Sequence, residues 1–562
     1  MKGYAIGIDY GTNSCRSLLI DLSNGRELGS KVYPYPSGEA GILLDPRDPN
    51  VARQNPQDYI DGLVDTISGA IAEAKKVDVN FNVEKVVGIG VDTTGSTVIP
   101  VDKAGTPLAL TAAFKDNLNA HVWLWKDHTA HAEAAAITEK AAAMRPQYLA
   151  KCGGTYSSEW WWSKIWRLQK IDPEVFESAH SFVEHCDYIP ALLTGNTAPG
   201  TLKRGVCSAG HKAMYNPEWG GLPDKEFLAE LDPALADLRD RLYDHAVPAN
   251  QLAGGLSEHW ASKLGLKPGT AVAVGAFDAH MGAVGAGIKE GTLVKILGTS
   301  TCDCMVVPNT KALPDIPGLC GIVDGSVLPD HFGLEAGQSA VGDIFLWFVN
   351  NLVPDRYGKT NDEKFASMEA KLAGMKPGET GLLALDWNNG NRTVLVDVRL
   401  SGMILGQTLY TEAHEIYRAL IEATAFGALT IIKRIEDYGV PVNEVINTGG
   451  LAVKNETLMQ IYADILGRPL KVSVSDQTCA LGAALFGAAA SGRISLADAQ
   501  AGCCQVRDRV YAPNPENQKV YEKIYTFYRT LHDAFGTAEW YGNLNSVMKD
   551  VIALRDEARS AS

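Results

Sequence analysis

Runs rich in Val, Ile and small residues alternate along the chain with stretches of helical periodicity, the pattern of α/β architecture. Tyr4–Asp9, Arg16–Leu22, Val83–Val91, Thr270–Ala276, Thr292–Leu297, Thr393–Val398 and Glu444–Asn447 read as strands. The strongest helical pattern runs from Glu412 to Tyr438. Ile416, Leu420, Ala423, Ile431 and Ile435 share one face, Thr411 stands where a cap is needed, and Gly439 with Pro441 ends the run. A second helix is predicted over Glu456–Leu466, capped by Asn455 and stopped by Gly467 and Pro469. Trp160–Lys170 is predicted helical, with its tryptophans packed inward.

One pattern occurs twice. The strand Ala5–Asp9 breaks after Tyr10 into Gly11-Thr12-Asn13-Ser14, and the strand Leu293–Leu297 breaks into Gly298-Thr299-Ser300-Thr301. Small or β-forming residues follow each break, as the return arm of a hairpin requires. Two copies of one hairpin about half the chain apart imply two similar domains facing a shared cleft. The division falls near Lys289-Glu290-Gly291, giving units 1–288 and 289–562. At 562 residues the chain exceeds what one hydrophobic core normally serves, which agrees with two units.

Composition narrows the function classes. Hydrophobic residues at 46% and charged residues at 21% are globular values, which exclude a disordered chain. Lys and Arg number 51 against 66 Asp and Glu, a net charge of −15 with no basic run, so nucleic acid and anionic membrane are poor partners. The first residues enter a strand pattern without a signal-peptide core, and the small-residue run 477–492 is too short to span a bilayer. Ten scattered cysteines without a CxxC pair read as reduced thiols, and the expected location is cytoplasmic.

Any phosphate must therefore be held by local devices: close backbone N–H groups, hydroxyls and a guanidinium. Gly11, Thr12, Asn13, Ser14 and Arg16 supply all three, and Gly298 and Thr299 supply the first two. Either loop alone fits an ordinary hairpin turn equally well. Asp9, at a strand end beside the first loop, is placed to face Mg²⁺. Asn447-Thr448-Gly449-Gly450 is a further strand ending in paired glycines, against whose bare backbone a flat ligand can lie; a tight turn with Asn455 as a plain cap explains it as well. No G-x-x-x-x-G-K-[ST] occurs, which removes an ordinary P-loop. The most informative stretch runs Val272-Ala-Val-Gly-Ala-Phe-Asp278-Ala-His280: a buried strand leading into a carboxylate, costly unless bound or used, with a helix cap as the plain alternative. His280 reads as a satisfied scaffold histidine.

These residues resemble the FGGY carbohydrate kinases of the actin/hexokinase superfamily, over nearly the whole chain. The resemblance runs from Gly7-Ile8-Asp9-Tyr10-Gly11-Thr12 through Asp278 and Gly298-Thr299-Ser300 to Gly449-Gly450 and Ala480-Leu-Gly-Ala-Ala484. Finer agreement lies with the family's ribulokinase branch, through Asp92–Thr97, Cys207–Lys212, Leu334–Ser339, Gly402–Thr408 and Leu531–Gly536. Two departures stand out: Gln407 and Leu420 replace smaller or aliphatic residues of one signature, and Trp166 follows Lys164 by two positions rather than three. The resemblance implies two ribonuclease-H-like domains around a central cleft and MgATP-dependent phosphorylation of L-ribulose or a related ketopentose. It implies Asp278 as general base, Lys212, Glu335 and the Gly95–Ser96 backbone as sugar contacts, and Asp9 with Asp278 facing Mg²⁺. Gly449, Gly450 and Asn455 would meet the adenosine portion of ATP. Read without it, Lys212 fits a surface lysine and Glu335 a helix-start carboxylate. Nothing in the sequence decides the oligomeric state, a homodimer being one option.

Overall fold

The computed structural model describes residues 3–560. Its first large sheet contains β1 (Tyr4–Tyr10), β2 (Ser14–Asp21), β3 (Glu27–Pro34), β4 (Val86–Thr93), β5 (Leu252–Gly255) and β6 (Ala271–Ala273), in the order β5-β6-β4-β1-β2-β3. The short β7 (Ala276–Phe277) lies beside β4. The second sheet contains β8 (Thr292–Leu297), β9 (Thr301–Pro308), β10 (Gly321–Asp324), β11 (His331–Ala336), β12 (Glu444–Thr448) and β13 (Leu470–Val472), in the order β10-β11-β9-β8-β12-β13.

The repeated hairpin is a repeat of structure. β1–β2 and β8–β9 are antiparallel hairpins, and each outer arm pairs antiparallel with a further strand, β3 or β11. Each inner arm pairs in parallel with a strand that arrives much later, β4 or β12, which itself pairs in parallel with β6 or β13. Burial drives both. Ile6, Ile8, Leu19, Ile89 and Val91 pack with Tyr59, Leu63 and Ile67 of the helix Pro56–Val77, and Leu293, Met305 and Leu334 pack with Phe345, Tyr417 and Ile421.

The helix Thr478–Ala490, from the second half of the chain, lies against β1 and β4 of the first sheet and crosses the helix Asp278–Gly285. Bare backbone permits this approach. A Cβ added to Gly7 would sit 1.7 Å from the Ala480 carbonyl oxygen, and one on Gly90 would sit 1.8 Å from that of Ala483. The small-residue run is thus a seam between the halves. Among the described residues no helix is long and apolar enough to cross a membrane.

A third, five-stranded sheet (Leu43–Asp45, Asp48–Gln54, Val98–Val101, Val122–Trp123, Ser181–Glu184) stands beside the cleft with the helix Trp161–Ile171, whose tryptophans are buried as predicted. Asn455 caps its helix and Gly467 ends it left-handed, also as predicted. Three expectations need correction. Val83–Lys85 is a single 3₁₀ turn before β4. The cap of the long helix Ala413–Asp437 is Glu412, in a reciprocal box with Glu415, rather than Thr411. Thr393–Val398 forms no strand: Asn391 ties its backbone into a loop at Leu395, Val394 is buried, and Val398 is exposed.

Candidate active site

Strand register assembles the site. In the parallel pair β1–β4, Asp9 stands opposite Asp92, and beside β4 Phe277 stands opposite Thr93, so Asp278 follows at the same sheet end. Three carboxylates therefore meet at the carboxyl ends of adjacent strands, where open α/β sheets bind ligands. Asp278 is the first residue of its helix and its Oδ1 accepts only the neighbouring Ala279 N–H, at 2.6 Å, so the cap alternative fails.

Crowding sets the protonation of these groups. Burial, with the Asp9 charge adding to it, pushes the Asp278 carboxyl up to about 7. Burial, then Asp9 and Asp278, hold Asp92 well above the usual carboxylate range. Asp9 is raised by burial against the pull of Arg16, whose Nε lies 3.4 Å from its carboxylate. Both Asp92 oxygens are buried without a hydrogen-bond partner. Such a cluster accepts a proton or an oxygen-seeking dication, and its donor set fits Mg²⁺.

Next to this group, Lys212 ends the helix Val206–Lys212 and its Nζ lies 2.9 and 3.2 Å from the two Glu335 oxygens on β11. Both side chains are nearly buried, so neither the surface-lysine nor the helix-start alternative holds. Burial alone would raise the Glu335 carboxyl, but the Lys212 ammonium holds it well below the usual range. Both charges of the pair act on Asp278. Gly95 lies against the Phe277 ring, where a Cβ would come within 1.8 Å of a ring carbon, so the Gly95–Ser96 backbone adjoins Asp278. The Ser96 hydroxyl is turned away, onto Glu184.

Both glycine-threonine turns are open to the cleft and braced from behind. In the first, the Thr12 hydroxyl accepts from Trp125 at 3.0 Å, Gln54 holds the Thr12 carbonyl, Asn13 is tied to the Ala40 carbonyl, and Gly11 N–H donates to the Ser14 carbonyl. In the second, the Gly298 and Thr299 carbonyls accept from N–H groups at the start of the helix Gly342–Leu352, while Thr299 itself is exposed. Gly449 nests against the Leu297 carbonyl, and Gly450 has open space where a Cβ would stand. Asn455 is not in this group in the same sense. It is buried, with its oxygen on Leu458 N–H and its amide nitrogen on Glu369.

Residues 4–285 match the N-terminal domain of the FGGY family of carbohydrate kinases, and residues 293–491 match its C-terminal domain. The chain belongs to this family. As an FGGY carbohydrate kinase it is a phosphotransferase. It is 42% identical to a protein named Ribulokinase from Shouchella clausii, over 100% of both chains, and 41% identical to one from Vibrio parahaemolyticus, over 94% of this chain and 95% of that one. Its fold is that of a xylulose kinase from Rhodospirillum rubrum, with a TM-score of 0.76 at 21% identity over 94% of this chain and 98% of the other. A ligand-bound xylulose kinase from Lactobacillus acidophilus gives 0.76 at 20% identity over 95% and 99%.

Several residues around this group had been given no part in it by the sequence. Asp92 ends a Val- and Ile-rich run, the same signal that singled out Asp278. Lys164 is buried and donates to the Ser96 and Leu124 carbonyls at 2.7 Å, bracing the Gly95–Ser96 segment. Lys295 is buried between Asp303, Gln338 and Thr301 and braces the second turn. His280 is no satisfied scaffold residue, because both its ring nitrogens are buried without a hydrogen bond. The departures at Gln407 and Leu420 line a single cavity of about 240 Å³ with Trp347 and Asn388.

Proposed function

We propose that this FGGY kinase transfers the terminal phosphoryl group of ATP to the O5 hydroxyl of L-ribulose, giving L-ribulose 5-phosphate, as L-arabinose catabolism requires. The observation that carries the reading is the buried Lys212–Glu335 pair beside Asp278, which offers a sugar one cationic donor and one anionic acceptor next to a proton acceptor. Its support from comparison is the run of full-length relatives at about 40% identity named Ribulokinase.

In this reading Asp278 takes the proton of the attacking hydroxyl as the new O–P bond forms and the bond to ADP breaks. Lys212, Glu335 and the Gly95–Ser96 backbone hold the pentulose. Gly11–Ser14 with Arg16, and Gly298 with Thr299, grip the phosphates from opposite sides, while Gly449 and Gly450 lie along the adenosine and Asn455 supports them from its helix start. Mg²⁺ held near Asp9 and Asp278 supplies charge stabilisation. Asp92 joins that group as a carboxyl able to keep a proton. The chain divides at 288/289 into a unit with the sugar site and the first phosphate turn and an ATP-binding unit that adds Glu335 to the sugar site, the helix 478–490 packing on the first. Phosphoryl transfer is then mainly alignment and electrostatics, and closing the cleft keeps water from the phosphate.

A panel of pentuloses and polyols in a coupled ADP-release assay tests the reading. L-ribulose should show the highest kcat/KM, with ADP formed only when sugar is present. Preference for D-ribulose or a polyol would move the substrate within the family, and ATP turnover indifferent to every sugar would remove the reading.

A further inference from the structure

Beside Glu335 sit two imidazoles that the phosphoryl-transfer reading does not use. His211 precedes Lys212, His280 follows Asp278 by two residues, and their rings lie 4.6 Å apart with both side chains almost wholly buried. The Ser326 hydroxyl donates to the Val323 carbonyl at 3.0 Å, which leaves its oxygen to accept from His211 Nε2, also at 3.0 Å. Satisfying both contacts puts the His211 proton on Nε2 and leaves a lone pair at Nδ1. That lone pair faces another acceptor, Glu335 Oε2, at 3.5 Å. His280 Nε2 lies 3.6 Å from the same oxygen. His211 Nδ1 and both His280 nitrogens are buried without a partner. Two acceptors aimed at each other in a dry site call for an electrophile between them.

We propose that His211, His280 and Glu335 form a binding site for one zinc-class divalent cation, and that a cation held there blocks the sugar pocket. Their ligand atoms all lie within 4.8 Å of one another. The two measured edges, 3.5 and 3.6 Å, approach the roughly 3.4 Å edge of a tetrahedral site with zinc-length bonds. Ligating histidines usually donate their second nitrogen to an outer partner, as His211 does to Ser326. Two nitrogens and one carboxylate select Zn²⁺ or Co²⁺, whereas the all-oxygen group Asp9, Asp92 and Asp278 selects Mg²⁺. The Lys212 ammonium, 2.9 Å from Glu335 Oε1, opposes the cation, so the site fills conditionally and acts as an inhibitor site. The blockade rests on the assignment of Lys212 and Glu335 to the sugar; the cation site does not.

Titration of the full chain with Co²⁺, without sugar or nucleotide, tests the site through the visible bands of tetrahedral cobalt. One equivalent should bind, be displaced by Zn²⁺, weaken at least tenfold in His211→Asn and His280→Asn, and persist in Asp278→Asn. Lys212→Met should tighten it about tenfold, an opposite sign that no folding defect imitates. Absence of the bands, bands indifferent to both histidine substitutions, or bands lost in Asp278→Asn would overturn the site. In the activity arm Zn²⁺ should raise the apparent KM for L-ribulose and leave that for ATP unchanged. Histidine-dependent cobalt bands alongside undisturbed sugar binding would overturn the blockade alone, and a failed sugar panel leaves the cobalt result standing by itself.

Discussion

The two large sheets share one strand plan and differ in what their strand ends carry. Counting back from the glycine that opens each turn, Ile296 stands where Asp9 stands in the first sheet. Across the parallel pair, Thr448 stands where Asp92 stands. The outer arm carries Arg16 opposite Asp9 and Cys302 opposite Ile296. One copy thus gathers charge at the floor of the cleft, and the other presents neutral side chains and bare glycine backbone. The second sheet does hold an ion pair, Lys295 with Asp303, but both are spent inside, bracing the turn. On the proposed reading, a duplicated frame keeps its phosphate turn in both copies and adds, in the first alone, a group that holds protons and cations.

The sharpest way to break this contrast is to remove the charge that works. Asp278→Asn keeps the shape and discards the proposed base, and kcat should fall about 10²–10⁴-fold with ATP binding nearly unchanged. Steady-state kinetics and a nucleotide titration check this together; wild-type turnover in the variant would remove Asp278 as base. Because the carboxyl is pushed up to about 7 and a base must act deprotonated, on this proposal wild-type kcat/KM should climb with pH through that region and level off above it. Next in size is Lys212→Ala, which leaves Glu335 buried and unpaired. The KM for sugar should rise on the order of 100-fold, a few kcal/mol, while the KM for ATP moves little. Equal shifts in both constants would put Lys212 outside the sugar pocket.

Much of this was legible in the residues. The glycine-threonine echo announced the duplicated frame, since a hairpin that opens into Gly-Thr needs both the strand alternation and the turn chemistry. Asp278 stood out because a carboxylate after Val272-Ala-Val is costly to bury. The same argument applies to Asp92 after Val86-Val-Gly-Ile-Gly-Val, and only the register β1–β4 shows why it matters: the partner that makes it costly is Asp9, some eighty residues away in sequence. Lys164 and Lys295 were invisible for a related reason, as their partners come from other elements. Thr393–Val398 misled because its apolar positions dock a loop. Leu395 packs against the backbone at Gly536, and the Thr393 hydroxyl serves Gly337 N–H, so period-two alternation arises without a neighbouring strand. The small-residue run 477–492 showed what it was not, and its role waited for the glycines of β1 and β4.

A milder probe of the first sheet is Asp92→Asn. The raised carboxyls of the cluster favour folding fully below their unfolded range near 4, and that contribution is lost as pH climbs through their folded values, about 7 for Asp278. Cation-free wild-type protein should therefore lose thermal stability between about pH 5 and pH 8. Asp92→Asn should lose less, and melt roughly 2 °C above wild type at the higher pH. Added Mg²⁺ should stabilise the wild type more than the variant there. A variant that melts below wild type at high pH, with or without Mg²⁺, would show that Asp92 is held by partners rather than crowded by like charges.

The smallest effect separates the two turns from each other. Thr299 is exposed and its hydroxyl has no bracing role, whereas the Thr12 hydroxyl accepts from Trp125 in the first turn. Thr299→Val should weaken nucleotide use several-fold, about 1 kcal/mol for one lost hydroxyl donor, with an unchanged melting temperature. Thr12→Val should do both, weakening nucleotide use and lowering the melting temperature, because it orphans the Trp125 N–H as well. Paired ATP titrations and melts of the two variants decide the matter. If Thr299→Val leaves the ATP titration where it was, Thr299 lies outside the phosphate site and the neutral sheet loses the side-chain part of its proposed role.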